Sequence, residues 1–380
     1  MDESDFKGKV TGEVRWADNG AYCYFHPHNL PYDWMCSRES LSRMRDAATE
    51  MARLDGMLRF IDPDTVRMLI MNLSLRESTS SSSIEGTRST VDDIFRSERE
   101  EERDESRARD NQEVVNYRRA LLMGFERLPV GGRLTIDLIR DLHRTLMDGV
   151  RGSDKSPGEF KTHQNAIGRM SDTIETARMV PASPESVDFL LDNWLDYVNR
   201  DDVDTVEKVV LSHYQFEAIH PFRDGNGRVG RLLILMILRR DGLLTHPVLH
   251  LSGYLNLNRD RYIDLMYRVS AEDALDDWLG FVSDGLRGQS RSTAATVDSL
   301  IRYRDRLRES AADMNESRTI DMLFGNPYVR PNDIVGRLGV SVPTANKIIG
   351  RLESGGVLRE VTGRKRNRLY LADGIMELLR

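Results

Sequence analysis

The segment from Arg228 to Arg240 constrains the fold more than any other part of the chain. Beyond its first turn it is apolar on almost every side, and it contains the uninterrupted apolar run Leu232 to Leu238. A helix that is apolar all round must be enclosed by other structure, whereas a helix that crosses a membrane needs about twenty apolar residues. We therefore predict a central, buried helix in a protein that does not insert into a membrane.

The helical spacing of apolar residues continues through most of the chain, so the predicted fold is mainly α. One helix begins at Asp62, and others are predicted at 112–128, 134–149, Thr205 to Ile219 and across 255–310. Two segments lack this period. Residues 1–35 are predicted to be extended and irregular, and the stretch Arg151 to Met170 is predicted to form a short hairpin or a loop.

Composition limits the number of domains and the cellular compartment. A chain of 380 residues corresponds to two or three domains at roughly 100–200 residues each. The 54 basic and 61 acidic side chains give a net charge of −7. This charge argues against a protein covered in positive charge for binding nucleic acid, but a local basic patch is still compatible with it. Two cysteines are too few for a disulfide framework, and no secretory signal is visible, so we expect a cytoplasmic protein.

The helix that begins at Asp62 runs into a serine-rich string, 78–83. Such a string is often a flexible linker, and that alternative stays open on composition alone. However, Ser81 and Glu85 are four residues apart and would share one face if the helix continued. Gly86 would then end the helix in the left-handed conformation, and Ser89 with Asp92 would cap the next helix.

The last sixty residues have a different character from the rest. Residues 319–380 contain ten Lys or Arg and six acids, which is a net charge of +4 and leaves −11 on the rest of the chain. The expected elements are a helix at Pro331 to Leu338, a stop at Gly339, an N-cap at Ser341, a helix at Pro343 to Leu352, and two β-like runs, Val357 to Val361 and Leu369 to Leu371. This order predicts a winged helix-turn-helix with a basic wing.

The candidate DNA contacts lie on the second helix and the wing of this module. They are Thr344, Lys347 and Arg351, which would meet base edges or phosphates, and Arg364, Lys365, Arg366 and Arg368, which would meet the duplex backbone. A winged helix that docks onto protein, with no role in DNA binding, is an equally good interpretation.

The segment His220-Pro221-Phe222-Arg223-Asp224-Gly225-Asn226-Gly227-Arg228-Val229-Gly230-Arg231 combines several features of a phosphate site. Gly225 and Gly227 allow the backbone to turn its N–H groups inward as an anion-binding nest. Gly227 also leads into the predicted central helix, whose N-terminal amides would face the same space. Arg228 and Arg231 are three residues apart on the first turn, so both guanidinium groups reach that space. We predict a site for a di- or triphosphate.

Two further side chains of this segment suit nucleotide transfer. Asp224 would repel a phosphate by itself, but its carboxylate is a suitable ligand for a Mg²⁺ ion that also binds phosphate oxygens. His220 has the chemistry to take a proton from an incoming hydroxyl. Phe222 would point back into the core and anchor the loop.

The twelve residues resemble the signature of the Fic (filamentation induced by cAMP) family, H-P-F-x-D/E-G-N-G-R-x-x-R, at every specified position. Ser81-x-x-x-Glu85-Gly86 resembles the inhibitory motif of that family, and Glu159-Phe160-Lys161 to Gly168 resembles its flap. The N-terminal segment and the winged helix resemble those of large bacterial Fic proteins. The resemblance implies a Fic helical core with a β-hairpin flap.

The resemblance also implies a role for each residue. His220 would activate a Ser, Thr or Tyr hydroxyl of a target protein, and Asp224 would hold Mg²⁺ on the α- and β-phosphates of ATP. The implied ATP-binding residues are Asp224, Gly225, Asn226, Gly227, Arg228, Val229, Gly230 and Arg231. The transfer would place AMP on protein, including the chain itself, and release pyrophosphate. The flap (Lys161, Thr162, His163, Gln164, Asn165, Ala166 and Ile167) would clamp the target chain.

Several alternatives remain at the sequence level. Gly227 stands where the phosphorylating Doc branch has Lys, which favours AMP transfer, but phosphocholine transfer and removal of AMP at the same site stay open. Glu85 would inhibit by pairing with Arg231 in place of a phosphate. Adenine contacts would come from Tyr254, Asn258 and Tyr262, although helical packing is the commoner role for each.

The expected organisation has four parts. They are an N-terminal extension with the inhibitory helix at 1–110, a Fic domain at 111–290, a helical linker at 291–318 and a winged helix-turn-helix at 319–380. The expected partners are a target protein, the chain itself, duplex DNA and a second copy in a homodimer. A second interpretation is a DNA-binding regulator whose Fic domain senses nucleotide or modifies the protein itself.

Overall fold

The computed structural model describes residues 1–100, 102–168 and 172–380, and most of them are helical, as predicted. The helices are α1 (Arg38–Leu58), α2 (Pro63–Ile84), α3 (Val91–Ser97), α4 (Glu105–Arg127), α5 (Ile136–Leu146), α6 (Val187–Val198), α7 (Thr205–Ile219), α8 (Asn226–Arg240), α9 (Leu251–Leu257), α10 (Arg259–Glu272), α11 (Leu275–Glu309), α12 (Met314–Gly325), α13 (Pro331–Leu338), α14 (Val342–Ser354) and α15 (Asp373–Leu379). The strands are β1 (Gly12–Trp16), β2 (Cys23–Pro27), β3 (Tyr328–Val329), β4 (Arg359–Glu360) and β5 (Tyr370–Leu371).

Helix α8 lies at the centre of the molecule, and this confirms the prediction made from its apolar surface. Every side chain from Arg231 to Leu238 is buried. Helices α2, α4, α5 and α7 pack around it. The start of α8 is thereby fixed relative to α2, which carries the serine-rich string.

Helix α2 continues through the serine-rich string, so the linker alternative is wrong. The hydroxyls of Ser78, Thr79 and Ser83 each donate to the carbonyl oxygen four residues earlier. These bonds satisfy the hydroxyls within the helix, which removes the cost of burying them. The helix ends as predicted, with Gly86 at φ +94° immediately after Glu85.

The cap of α3 lies one residue later than predicted. Thr90 is the N-cap, and it exchanges hydrogen bonds with Asp93 in a capping box. The hydroxyl of Ser89 is buried and donates to Asn111 Oδ1 at 2.6 Å. Ser89 is therefore occupied by a tertiary contact that the local pattern does not reveal.

The N-terminal segment is extended, as predicted, but it is not irregular throughout. Strands β1 and β2 form an antiparallel hairpin in which Val14 lies opposite Phe25. Phe25 is fully buried, and β2 packs against α7. The hairpin therefore covers one side of the helix that leads to His220.

The segment 151–168 is a loop, and the predicted β-hairpin flap is absent from its described residues. One isolated antiparallel bridge joins Ile167 to Met179. The backbone N–H of Lys161 donates to Pro221 O at 2.8 Å. The loop therefore pairs with the segment after α7 rather than with itself. The end of the predicted stretch, 169–170, lies outside the described residues.

Residues 314–379 contain the predicted helices and short strands. Strand β5 lies between β3 and β4 and is antiparallel to both. Gly339 has φ +67° and ends α13, and Ser341 Oγ accepts from Thr344 N at the start of α14. Both strand pairs are shorter than the β-like runs in the sequence.

All three expected part boundaries fall inside helices. The boundary at 110 lies within α4, the boundary at 318 lies within α12, and the boundary at 290 lies within α11, which runs without a break from Leu275 to Glu309. Among the described residues, no helix combines the length and the apolar character needed to cross a membrane.

Candidate active site

Two residues between α7 and α8 adopt the left-handed backbone conformation. His220 follows α7 with φ 50° and ψ 60°, and Gly225 precedes α8 with φ 77°. The side chain of Asn226 closes the loop between them, because it accepts from Phe222 N at 2.8 Å and donates to Phe222 O at 2.7 Å. Both groups of the Asn226 amide are thus engaged in shaping the loop.

Phe222 anchors this loop in the core, as predicted. Its fully buried ring stacks on the His143 ring with centroids 3.8 Å apart. His143 Nδ1 accepts from Gly158 N at 2.8 Å, so Nε2 carries the proton and donates to Asp224 O at 2.9 Å. Burial lowers the pKa of His143 to about 4, which keeps it neutral. No sequence signal marked His143, since it lies within an ordinary amphipathic helix.

The His220 imidazole is neutral over the physiological range. Burial, with a further contribution from Lys161, lowers its pKa to about 3. Its side chain is 17% exposed, so the ring retains an open edge. A neutral ring that reaches solvent is able to accept a proton.

Arg231 is buried and holds the end of α2. Its Nε donates to Ser81 Oγ at 2.9 Å and its Nη2 donates to Ser81 O at 3.0 Å. The same Nη2 donates to Glu85 Oε1 at 2.7 Å. Ser81 and Glu85 therefore share a face of α2, as their spacing predicted. Both residues accept hydrogen bonds from Arg231 on that face.

The Glu85 carboxylate lies where the charged groups of the site converge. Burial alone would raise its pKa, but Arg231 outweighs burial, and Arg228 and His220 act in the same direction, so the pKa lies below its usual value. A Cβ at Gly227 would come within 2.5 Å of Glu85 Oε1. The ionised carboxylate thus rests directly on the glycine bend at the start of α8.

Arg228 lies on the same turn and is also buried. Its Nη1 is 3.5 Å from Glu113 Oε2, and its Nε and Nη1 have no hydrogen-bond partner among the described residues. Glu113 also accepts from Thr87 Oγ1 at 2.6 Å and pairs with Arg151 at 3.2 Å. Buried guanidinium donors without protein partners are available to bind an anion. No sequence pattern marked Glu113, which lies on α4.

Asp224 lies beside the bend with both carboxylate oxygens engaged. Oδ1 accepts from Gly225 N at 2.7 Å, and Oδ2 pairs with Lys155 Nζ at 2.9 Å. Burial raises the pKa of Asp224, but Lys155 more than offsets this, so the carboxylate stays ionised. Across the described part of the chain, no cluster of three or more metal-ligating side chains is present.

The flap residues divide into anchors and exposed positions. Lys161 is buried and donates from Nζ to Asn165 Oδ1 at 2.9 Å and to Ile219 O at 3.1 Å. Asn165 Nδ2 donates to Phe222 O, and Gln164 Nε2 donates to Pro181 O. Thr162 and His163 are exposed, and Gln164, Asn165, Ala166 and Ile167 are half-buried. The anchors hold the loop beside His220.

The remaining candidate nucleotide contacts are mostly packed. Val229 is fully buried, and a Cβ at Gly230 would collide with Glu217 Oε1. Tyr262 is buried, with its hydroxyl 2.9 Å from His213 Nε2. Tyr254 is half-buried against Phe281, and Asn258 Nδ2 donates to Tyr254 O. Tyr254, Asn258 and Tyr262 therefore make packing contacts, which are a commoner role for such residues than contact with adenine.

The basic residues of the C-terminal module are only partly free. Arg351 pairs with Asp313 and Glu316, and Arg364 pairs with Glu100 at 2.8 Å. The exposed cations are Lys347, Lys365, Arg366 and Arg368, and Thr344 is half-buried. Glu100 follows α3, so the wing contacts the segment between α3 and α4.

Two family models match the chain. The Fic/DOC family model matches residues 133–238, which include the whole His220–Arg231 segment. The Fic/DOC family N-terminal model matches residues 41–126, which include Ser81 and Glu85. The matched regions together make up half of the chain.

Two relatives share the central part of the sequence. Protein adenylyltransferase fic-1 of Caenorhabditis elegans is 32% identical over 112 residues, 29% of this chain and 20% of that protein. A probable protein adenylyltransferase of Aquifex aeolicus is 41% identical over 111 residues, 28% of this chain and 31% of that protein. The chain thus spans a third or less of the length of these curated relatives.

Two solved structures share the fold at low sequence identity. A Fic family protein from Desulfovibrio desulfuricans superimposes with a TM-score of 0.58 and 18% identity, over 89% of this chain and 97% of that one. Fic-1 from C. elegans superimposes with a TM-score of 0.53 and 20% identity, over 69% of this chain and 74% of that one. With the signature segment intact and two family models matched on either side of residue 130, the chain belongs to the Fic/DOC family.

Proposed function

We propose that the chain is a protein adenylyltransferase that transfers AMP from ATP to a hydroxyl group of a protein. The observation that carries this proposal is the location of the Glu85 carboxylate. It touches Arg231, rests on Gly227 and lies within electrostatic reach of Arg228 and His220. A carboxylate held in this way stands in for a phosphate group. The site therefore suits an anion bound next to a general base.

His220 takes the proton in the proposed reaction. The hydroxyl oxygen of the target attacks the α-phosphorus of ATP, its proton passes to His220, and the bond between the α-phosphorus and the bridging oxygen breaks. Pyrophosphate leaves and AMP stays on the target. The neutral state of His220 supports this role, because a protonated ring has no lone pair to offer. Arg228 and Arg231 would hold the phosphates of ATP by charge-assisted hydrogen bonds.

The residues at the bend suit a magnesium ion that accompanies ATP. Asp224 is ionised and one-third exposed, and one carboxylate plus phosphate oxygens is a common ligand set for Mg²⁺. Lys155 occupies one oxygen of Asp224 and would turn aside. The ion would neutralise phosphate charge, and Gly225 and Gly227 leave room for the backbone to approach.

The proposed enzyme is inhibited by its own Glu85. Arg231 cannot hold a phosphate of ATP in the same way while it holds Glu85 Oε1 at 2.7 Å. A hydrogen bond to a charged group contributes about 1.5–3 kcal/mol, which corresponds to about a ten- to hundredfold change in the affinity for a competing phosphate. Removal of AMP would remain open to the same site, with Glu85 positioning water.

The experiment that tests this proposal uses ATP labelled on the α-phosphorus. We expect Glu85→Gly to incorporate label into itself and into lysate proteins, and Glu85→Gly/His220→Ala to incorporate none. Ser83→Gly is the matched control, because it places glycine at the same helix end and its hydroxyl donates to Thr79 O within α2. Labelling of the His220→Ala double variant at the Glu85→Gly level would contradict the role of His220. Equal labelling of wild type and Glu85→Gly would contradict inhibition.

A second candidate function is DNA binding by residues 319–380, which we propose to be a winged helix-turn-helix. The strand order β3-β5-β4 behind α13 and α14 supports this proposal, as do the exposed cations Lys365, Arg366 and Arg368. In a gel shift over a range of salt, Lys365→Ala should reduce the slope of log affinity against log salt by about one. Lys9→Ala, an exposed lysine elsewhere, should leave the slope unchanged. Absence of a shifted band at low salt would reject DNA binding.

A further inference from the structure

Glu217 is a buried carboxylate that lies one helical turn before His220 on α7. Its Oε2 is 3.7 Å from His220 Nδ1, and its side chain is 7% exposed. The family signature starts at His220, so it does not include this residue. The sequence alone places Glu217 on the apolar helix that leads to the site and gives it no role.

Each side chain of this pair has one polar atom without a partner. Glu217 Oε1 and His220 Nδ1 have no hydrogen-bond partner among the described residues. A buried polar group without a partner carries a substantial energetic cost, so such groups persist where they serve a function. The carboxylate oxygen nearest to the ring is Oε2, at 3.7 Å from Nδ1. A small rotation of either side chain would bring a carboxylate oxygen of Glu217 within hydrogen-bond distance of Nδ1.

The carboxylate is fixed between α7 and α8. Gly230 allows the close approach, because a Cβ there would collide with Glu217 Oε1. Burial raises the pKa of Glu217 to about 8, while Arg231 lowers it and Glu85 raises it. Lys161 faces His220 and lowers the pKa of the imidazole, whereas Glu85 and Asp224 raise it. These are the charged groups that face the pair.

We propose that Glu217 is a positioning residue for His220 in the transfer reaction, an inference that rests on the proposed function. The side chain of Glu217 accepts a hydrogen bond from His220 Nδ1–H, which leaves the lone pair of Nε2 facing the target hydroxyl. When Glu217 is ionised, its negative charge stabilises the imidazolium that forms when Nε2 takes the proton. This arrangement follows the general use of a carboxylate behind a basic histidine.

The main competitor for this role is the backbone carbonyl of Glu217, which raises the pKa of His220. Glu217→Gln and Glu217→Met both keep that carbonyl. Gln removes only the charge and keeps an acceptor, whereas Met removes the charge and the acceptor and tolerates burial. The two variants therefore separate the side chain from the backbone.

The kinetic test compares these variants in the Glu85→Gly protein. We expect Glu217→Gln to lower kcat about tenfold, as part of the 10²–10⁴ that a general base contributes, and to leave the KM for ATP unchanged. We expect a larger loss with Met. Loss of Glu85 lowers the pKa of Glu217 from about 8. The rate of the Glu85→Gly protein should therefore rise as Glu217 ionises below about pH 8. This rise should be absent when Glu217→Gln is added. Glu207→Gln, on the same helix, is the control and should match the parent.

The second test does not depend on activity. Nitrogen NMR of His220 in the otherwise wild-type protein above about pH 8, where Glu217 is ionised, should report the Nδ1–H form, and Glu217→Met should shift the ring toward the Nε2–H form. An unchanged kcat, pH profile and ring form in both variants would overturn the inference. A parent that never transfers AMP would reject the proposed function, and the NMR result would still decide whether Glu217 positions His220.

Discussion

At the scale of single residues, Arg231 determines the state of the site. It makes two bonds to Ser81 and one to Glu85, so it ties the end of α2 to the start of α8. Ser81 accepts hydrogen bonds from Nε and Nη2 of Arg231, whereas Glu85 occupies Nη2. The inhibited state therefore depends on two residues of α2 with different contributions.

The first prediction concerns Ser81→Ala. This change removes the bond to Arg231 Nε but keeps the bond to the carbonyl of Ser81, so we expect partial activation, smaller than that of Glu85→Gly. Self-labelling with ATP labelled on the α-phosphorus measures this activation. Ser82→Ala is the control, because Ser82 is buried next to it and its hydroxyl has no hydrogen-bond partner in the described structure. Activation by Ser82→Ala to the same extent would show that the effect comes from loosening of α2.

The second prediction concerns Lys161, whose pKa is lowered to about 7 by burial, with a smaller opposing contribution from Glu185. The pKa in the unfolded chain is near 10.5, so the unfolded state binds the proton more tightly. Lys161 therefore costs most stability below pH 7, and this cost disappears as the pH rises to about 10.5. The free energy of unfolding of Lys161→Met minus that of wild type should fall steadily between pH 7 and pH 10. A constant difference would contradict the lowered pKa.

Residues that act through a local pattern could be predicted from the sequence, whereas residues that act across the fold could not. The pair Glu85 and Arg231 followed from a spacing of four and a signature position. Glu113, Lys155 and His143 contact Arg228, Asp224 and the loop carbonyl, respectively, from helices and loops distant in sequence. No spacing rule connects such residues, because tertiary packing alone brings them together.

At the scale of elements, the two residues in the left-handed conformation, one at each end of the loop, set the direction of α8. His220 accepts this conformation at a cost, whereas Gly225 adopts it freely. The element prediction failed where tertiary contacts replaced local ones. Ser89 bonds to Asn111 and so leaves the cap to Thr90, and the backbone of Lys161 bonds to Pro221 in place of a hairpin partner.

The third prediction tests the turn before α8. Gly225→Ala would force a side chain into φ +77° and place Cβ 2.8 Å from Met147 Sδ. We expect the free energy of unfolding to fall by about 1–2 kcal/mol, together with loss of AMP transfer in the Glu85→Gly protein. Gly288→Ala is the control, because its Cβ would meet nothing within 4 Å in the middle of α11. It should raise stability by about 0.5–1 kcal/mol. Equal stability of the two variants in chemical denaturation would contradict this account of the turn.

At the scale of the whole molecule, one continuous core joins the N-terminal hairpin to the last helix. Buried side chains from Phe25 to Leu379 belong to a single cluster. Asn72 of α2 donates to Phe324 O at 2.7 Å, and Asn326 donates to Phe95 O at 3.0 Å. The C-terminal module is therefore packed against the helices that carry and follow Glu85.

The fourth prediction is a single unfolding transition. All four tryptophans lie at or before residue 278, so their fluorescence reports the part before α12, whereas far-UV circular dichroism also reports α12 to α15. We expect the two denaturation curves to coincide, since the core is shared. Asn72→Ala should move both curves together to lower denaturant. A dichroism change that precedes the fluorescence change would show that the C-terminal module unfolds independently.

The position of the label within ATP tests the central claim most directly. The Glu85→Gly protein would be incubated with magnesium and ATP labelled at either the α- or the γ-phosphorus, and the protein-bound label would be counted. We predict that the α-label is incorporated, that the γ-label is not, and that the protein gains the mass of AMP. Incorporation of the γ-label, or of neither label, would contradict AMP transfer at His220.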